Sequence, residues 1–388
     1  MSTVYYQVDA LDTLMLRGNR SFGDAGDHGE AVMPPWPSVF AGAFRSAVLG
    51  RDVDRLAAFS AISGKRDIEA AERASQMRDA LGGQVFDALG TPQEPGAFRL
   101  SWLSLLHEGR AVVPLPADLL AVSVEGQSAP EIVALDPAEL PSIGSHGLPL
   151  CAVPRMSTPK KPSGGVWLDE SGFAAYVKGK LPAAARFTRE LYSSDMRLGI
   201  GIDVGSRTVQ SGALYTTETV SFTPDTGFIV GIDGLEALLP DEGVLRLGGD
   251  GKGARYCRVN WQPPVAELKS ARFRLVLATP AVFAQGWLPN GVSRDAPGAY
   301  WLNGDGFRGR LVCAAVPRHE VVSGWDLAAW QPKTAQRVVP AGSVYWFDDF
   351  EGEHRKLASW VGAGIWGDNA DRQRRAEGFN LAWLGEWR

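Results

Sequence analysis

An α+β fold is expected from three features of this sequence. A strand-like segment opens the chain, a polar helical stretch follows, and the second half is strand after strand punctuated by glycine. At 388 residues the chain exceeds the usual size of one hydrophobic core, so two packed domains are expected. No short internal repeat is present, and two α+β halves of similar logic fit the pattern.

Val4 to Leu16 holds β-formers in partial alternation and reads as a central first strand. A long loop rich in glycine and proline follows. Ser38 after Pro37 is a plausible helix cap, with Phe40, Ala43, Phe44, Ala47 and Val48 at helical spacing and Gly50 as the stop. Residues 52–82 read as one or two exposed helices. Phe98 to Leu106, the HEGR turn, and Ala111 to Leu115 read as a hairpin. STPKKPSGG reads as a mobile loop and DESGFAAYVKGK as a short helix. From Leu198 the strands run LGIGID, ALYTTETVSF, FIVGID, VLRLGG, ARYCRVNW, RFRLVLATPAVF and RLVCAAVP.

The composition, 45% hydrophobic and 21% charged with mean hydropathy −0.09, is that of a globular protein. No apolar run reaches membrane-span length and the N-terminus lacks a secretion signal, so a cytoplasmic protein without a membrane partner is expected. Cys151, Cys257 and Cys313 form no CxxC pair and read as small buried residues.

The net charge of −5 argues against nucleic-acid binding over the whole surface. Charge is nevertheless segregated. Between residues 110 and 150 Arg110 is the only Lys or Arg, which reads as an acidic, solvated face. Between 155 and 207 the basic residues Arg155, Lys160, Lys161, Lys178, Lys180, Arg186, Arg189, Arg197 and Arg207 outnumber the acidic ones. A second basic stretch runs from Arg246 to Arg274. Such segregation suits a polyanion bound along one groove, although charge runs are more often plain surface.

LGGDGKGAR, residues 247–255, clusters glycines that let backbone N–H groups approach phosphates, with Lys252 and Arg255 adding charge. It is equally readable as a plain turn. It is no Walker loop, because Gly253 follows Lys252. A polymerase palm needs two metal-binding carboxylates at such a tip, and only Asp250 is there. RLGIGIDVGSRTVQSGALY sets Arg197 and Arg207 on either side of a bend, where each could also pair with a surface acid. The five histidines form no zinc pattern, and no metal or other cofactor is expected. His28 in the opening loop could act as a base in RNA cleavage, or be a solvated loop histidine. Most of the thirteen tryptophans read as core, though single-stranded binders stack bases on such rings.

LMLRGNRSFG, WPSVFAGAFRSAVL, VVPLPADLL, LGGDGKGAR, TPAVFAQGWLP, SGWDLAAWQPK and VVPAGSVYWF follow one another in an order that resembles the third-subunit family of the Cmr complex. That complex is the type III-B CRISPR effector, and the family belongs to the RAMP superfamily. The resemblance implies two ferredoxin-like (RRM-like) domains packed together with inserted loops and a hairpin, here expected at residues 1–222 and 223–388. It implies a non-catalytic role, gripping the repeat-derived 5′ handle of the guide RNA beside the large polymerase-like subunit and the first backbone subunit, with target RNA met only indirectly. Arg17 and Arg20 match the family's basic pair after the first strand and are expected on handle phosphates, with Arg45 on the helix behind them. Arg197, Arg207, Gly248, Gly249, Lys252, Arg255, Lys160 and Lys161 complete the expected RNA-binding set on charge and glycine content. The superfamily's terminal glycine-rich loop reads Gly378-Phe379-Asn380 here, where asparagine tolerates the left-handed backbone. The alternatives are a metal-independent RAMP endoribonuclease using His28 and a protein-binding scaffold without RNA contact.

Overall fold

The computed structural model describes residues 3–18, 28–65, 68–122, 130–140, 147–156, 160–183, 185–203, 205–326, 331–368 and 370–387. Two large antiparallel sheets organise them. The first has eight strands in the order Glu242–Arg246, Gly253–Val259, Val4–Ala10, Thr226–Asp233, Arg99–His107, Arg110–Pro114, Val166–Asp169 and Ala185–Phe187. The second has six, in the order Val292–Arg294, Tyr300–Gly304, Phe307–Ala315, Val344–Gly352, Phe273–Leu277 and Ala382–Glu386.

Thr226–Asp233 lies at the centre of the first sheet and is buried along its whole length. Its alternate residues feed two cores. Phe228 and Val230 face the helix Pro37–Leu49, whose Phe40 stacks edge-on to Phe228 at 4.8 Å. Ile229, with Tyr5 and Trp102, faces the second sheet and packs with its Val276, Val312 and Trp346. The helix Glu170–Val177 closes this shared core with Phe173 and Tyr176, and Asp169 caps it by accepting from Gly172 N–H. The far face of the second sheet is covered by Leu357 and Val361 of the helix His354–Gly362.

A buried ion pair ties the second sheet to the segment just before the strand Leu119–Val122. Arg274, on the second sheet's Phe273–Leu277 strand, donates Nη1 to Asp118 Oδ2 at 2.6 Å and Nη2 to the Tyr176 carbonyl at 2.8 Å. The Tyr176 hydroxyl donates to Asp118 Oδ1 at 2.8 Å. Arg274, counted in sequence with the basic stretch 246–274, therefore turns inward and is no part of a cationic surface.

The division expected at 222/223 cuts the first sheet. Strands at 226–233, 242–246 and 253–259 pair with Val4–Ala10 or with one another, so the change of sheet falls between Val259 and Phe273. The opening strand stops at Ala10, short of Leu16, because the chain then bends to pair Leu14 with Val220 and Arg17 with Ala31. The first helix begins at Pro37, with Trp36 as the capping residue, in place of Ser38. The 52–82 region forms two helices, Val53–Ser63 and Ala70–Leu81. A long hairpin, Tyr192–Ile202 with Val209–Phe222, projects from the fold and exposes Met196, Leu198, Ile200 and Leu214.

Candidate nucleic-acid interface

The glycine-rich tip is made where two strands of the first sheet turn into each other, since Glu242–Arg246 pairs with Gly253–Val259. Gly248, Asp250 and Gly251 all have positive φ, at 78°, 57° and 64°. The turn folds onto the segment after the opening strand: Gly249 N–H donates to the Met15 carbonyl at 2.8 Å. A Cβ on Gly248 would stand 2.5 Å from that same oxygen, so glycine is required by contact as well as by φ. A Cβ on Gly249 would meet Met15 Sδ at 3.1 Å and Arg17 Nε at 3.6 Å.

The tip, Arg17 and Lys252 thus share one corner. Arg17 is exposed, on a segment held by Val32 N–H donating to the Leu16 carbonyl at 2.8 Å. Lys252 donates Nζ to Asp12 Oδ2 at 3.0 Å, with the lysine side chain 19% and the aspartate 64% exposed. The Thr13 backbone N–H and then the Lys252 ammonium hold Asp12 below the usual carboxylate range, and Asp12 also feels the Arg197 charge. Arg197 stands on the projecting hairpin opposite Thr217, the residue that also pairs with Gly29. Lys252 therefore meets, beside the tip, an acid that sequence reasoning did not single out. An Asp two residues after the opening strand carries no signal by itself; only the fold brings Lys252 to it.

The other expected residues sit elsewhere. Arg20 lies outside the described residues, as does the His28 side chain. Arg255 pairs with Glu242 at 3.0 Å across the exposed edge hairpin. Arg207 is exposed at the turn of the projecting hairpin with φ 57°, its N–H donating to the Asp203 carbonyl. Lys160 pairs with Glu131 at 3.6 Å, and the adjacent Lys161 is exposed, beside the small sheet of residues 119–154.

Arg45, expected on the helix behind Arg17 and Arg20, has Phe98 and Glu377 for neighbours. Its guanidinium lies over the Phe98 ring, 4.9 Å from the centroid, and it feels the charge of Glu377 on the last helix, Arg372–Glu377. Burial pulls its pKa below the usual arginine value. Its Nε and Nη2 are sealed from solvent without a hydrogen-bond partner among the described residues. The terminal turn at Gly378 and Asn380 has positive φ at both, 89° and 60°, but it is internal. A Cβ on Gly378 would meet the Leu100 carbonyl at 2.9 Å, and buried Asn380 donates to the Val282 and Ile365 carbonyls.

Among the described residues no group of His, Cys, Asp and Glu is placed to hold a metal ion, and no helix is long and apolar enough to cross a membrane. No disulfide joins Cys151, Cys257 and Cys313, and of the three only Cys313 is fully buried. Residues 6–387 match the family described as CRISPR-associated protein (Cas_Cmr3). The chain belongs to that family.

The Cas_Cmr3 match covers nearly the whole sequence, in keeping with the order of the seven segments. No curated protein matches. Among solved structures, the chain is similar to one from a type III-B Cmr-beta complex bound to cognate target RNA and AMPPnP, at 12% identity and TM-score 0.51, over 97% of this chain and 95% of that one. It is likewise similar to a chain of the type III-B Cmr-beta complex bound to cognate target RNA, at 13% identity and TM-score 0.51, over 97% of this chain and 96% of that one. At such identities these likenesses speak for the fold.

Proposed function

We propose that this Cas_Cmr3 protein is a non-catalytic subunit of a type III-B CRISPR effector that grips the 5′ handle of the guide RNA at the Arg17–Lys252 corner. In that role it joins the large polymerase-like subunit to the first backbone subunit. Family membership supports the setting, and the RNA-bound complexes containing similar chains support an RNA neighbour.

Strand order supports two ferredoxin-like halves. Taking Val4–Ala10, Arg99–His107, Thr226–Asp233 and Gly253–Val259 as strands one to four, their spatial order is 4-1-3-2. Phe273–Leu277, Phe307–Ala315, Val344–Gly352 and Ala382–Glu386 repeat it. In a free RRM, bases stack on the open sheet face. Here that option is closed, because Tyr5, Trp102 and Ile229 are buried against the second sheet. RNA contact is left to loops and turns, and the glycine tip docked on Met15 beside Arg17 is the observation that carries the reading. A phosphate entering this corner takes the place of Asp12 at Lys252 and gains exposed Arg17.

The test is a salt titration of repeat-derived RNA binding by the assembled complex, with and without the Arg17→Ala/Lys252→Ala double change. We expect affinity to fall at least roughly tenfold at low salt. The slope of log K against log salt should flatten by about one unit for each phosphate that the variant no longer neutralises. Unchanged affinity and slope would remove this corner from the interface.

A further inference from the structure

The cleft that Arg45 faces shares no residue with the Arg17–Lys252 corner. It holds about 610 Å³ between the helices Pro37–Leu49 and Val53–Ser63 on one side and residues 331–336 and the last helix on the other. Its walls mix two chemistries. Leu49, Leu56, Phe59 and Leu89 give an apolar side, while Lys333, Asp371, Arg374 and Glu377 give a charged one.

The charged side is internally satisfied. Glu377 accepts from Lys333 Nζ on one oxygen and from Arg374 Nη1 on the other, both at 3.0 Å. Arg374 also donates Nε to Gln336 Oε1 and Nη2 to the Ser323 carbonyl, at 3.0 Å each. Asp371 accepts from the Arg374 backbone N–H and from Gln336. None of these groups hydrogen-bonds Arg45 Nε or Nη2, and the side chains lining the cleft carry one positive charge in excess. Ser63, buried at the same cleft, likewise has no partner for its Oγ among the described residues.

The two orphan donors of Arg45 are Nε and Nη2, which form one edge of the guanidinium. That edge is the one this protein uses elsewhere for a carboxylate: Arg310 donates Nε and Nη2 to the two oxygens of Asp348, both at 2.9 Å. A buried charged group with unmade hydrogen bonds is costly, and an arriving anion removes that cost. We propose that the Arg45 cleft receives a single carboxylate from a partner polypeptide, presented among apolar side chains. The guanidinium turns its Nε–Nη2 edge toward the cleft to grip both oxygens, and the apolar wall covers the flanking residues.

Charge separates this occupant from RNA. One unpaired cation balances one carboxylate. A nucleic-acid strand would bring successive phosphates toward Asp371 and Glu377 with no second unpaired cation to meet them. Leu49, Leu56, Phe59 and Leu89 also suit a peptide segment better than a hydrated backbone.

The test titrates the full-length chain while following the Arg45 Nε–H NMR resonance, assigned by its loss in Arg45→Lys. The probes are acetyl-Leu-Glu-Phe-amide, its glutamine counterpart, 4-phenylbutyrate as a free acid, and octauridylate. We expect the glutamate peptide to move the resonance saturably, and the glutamine peptide to bind roughly tenfold more weakly or worse. 4-Phenylbutyrate should bind more weakly than the glutamate peptide, and octauridylate should not displace it. Arg45→Lys keeps the charge but loses the two-donor edge, so its peptide affinity, measured for both proteins by isothermal titration calorimetry, should drop several-fold with its near-ultraviolet circular dichroism unchanged. Equal binding of the two peptides, tighter binding of the free acid, displacement by octauridylate, or an unmoved Arg45 resonance would each overturn the proposal.

Discussion

Two of the acid–base pairs that join distant parts of this chain differ in one property. Lys252 and Asp12 are 240 residues apart and meet at 3.0 Å with Asp12 64% exposed. Arg274 and Asp118 are 156 residues apart and meet at 2.6 Å, 10% and 2% exposed. Water screens the first pair and competes for both partners, so either can change partner. The second has given up its hydration. Burial pushes the Asp118 carboxyl upward even against Arg274 and the Tyr176 hydroxyl, and neither charge can leave without stranding the other. One pair is suited to exchanging an acid for a phosphate, and the other pins the second sheet to the segment at Asp118.

The largest effect should come from breaking the buried pair. Asp118→Ala leaves Arg274 buried without its acid, and a loss of about 3–5 kcal/mol in unfolding free energy is expected. Denaturant unfolding measures it, and Asp118→Leu/Arg274→Met should recover part of the loss. A change no larger than that of Asp12→Ala would erase the distinction between the pairs.

Much of the first half was legible because local pattern and burial agree there. Phe40, Phe44 and Val48 recur at helical spacing and are all buried on the first sheet. The HEGR turn was equally readable, with Glu108 and Gly109 both at positive φ. What could not be read is long-range. Nothing local in LGGDGKGAR says that it docks on Met15, and nothing in a run of basic residues says that Arg255 and Arg258 face Glu242 and Asp241 while Arg274 turns inward. The helix Arg372–Glu377 was missed because RQRRAE has the composition of surface, yet Arg374 and Glu377 are buried against each other. The family resemblance puts Arg45 on the first helix, and a helix period does not tell which of that helix's flanks meets the distant last helix, where Arg45 feels Glu377.

Next in size is the glycine tip. Gly248→Ala puts a Cβ 2.5 Å from the Met15 carbonyl at φ 78°, and a local cost of about 1–3 kcal/mol is expected as the turn lifts away. Hydrogen exchange at Gly249 N–H should accelerate, and RNA affinity should fall with it if the tip belongs to the interface. Gly251→Ala is the control, since φ there is also positive but nothing crowds its Cβ.

The smallest effect sharpens the contrast by reversing its sign. Asp12→Asn releases Lys252 from its carboxylate, so RNA affinity should rise by roughly two- to fivefold at low salt and converge with the parent at high salt. Unfolding free energy should barely move. A fall in affinity would mean that Asp12 orients Lys252 for RNA rather than competing with it.

The most direct test places 4-thiouridine in the guide-RNA handle of the assembled complex and maps photo-adducts by mass spectrometry. Adducts in residues 11–18 or 247–253 are the predicted result. Adducts confined to the Arg45 cleft, or found only on neighbouring subunits, would contradict the account.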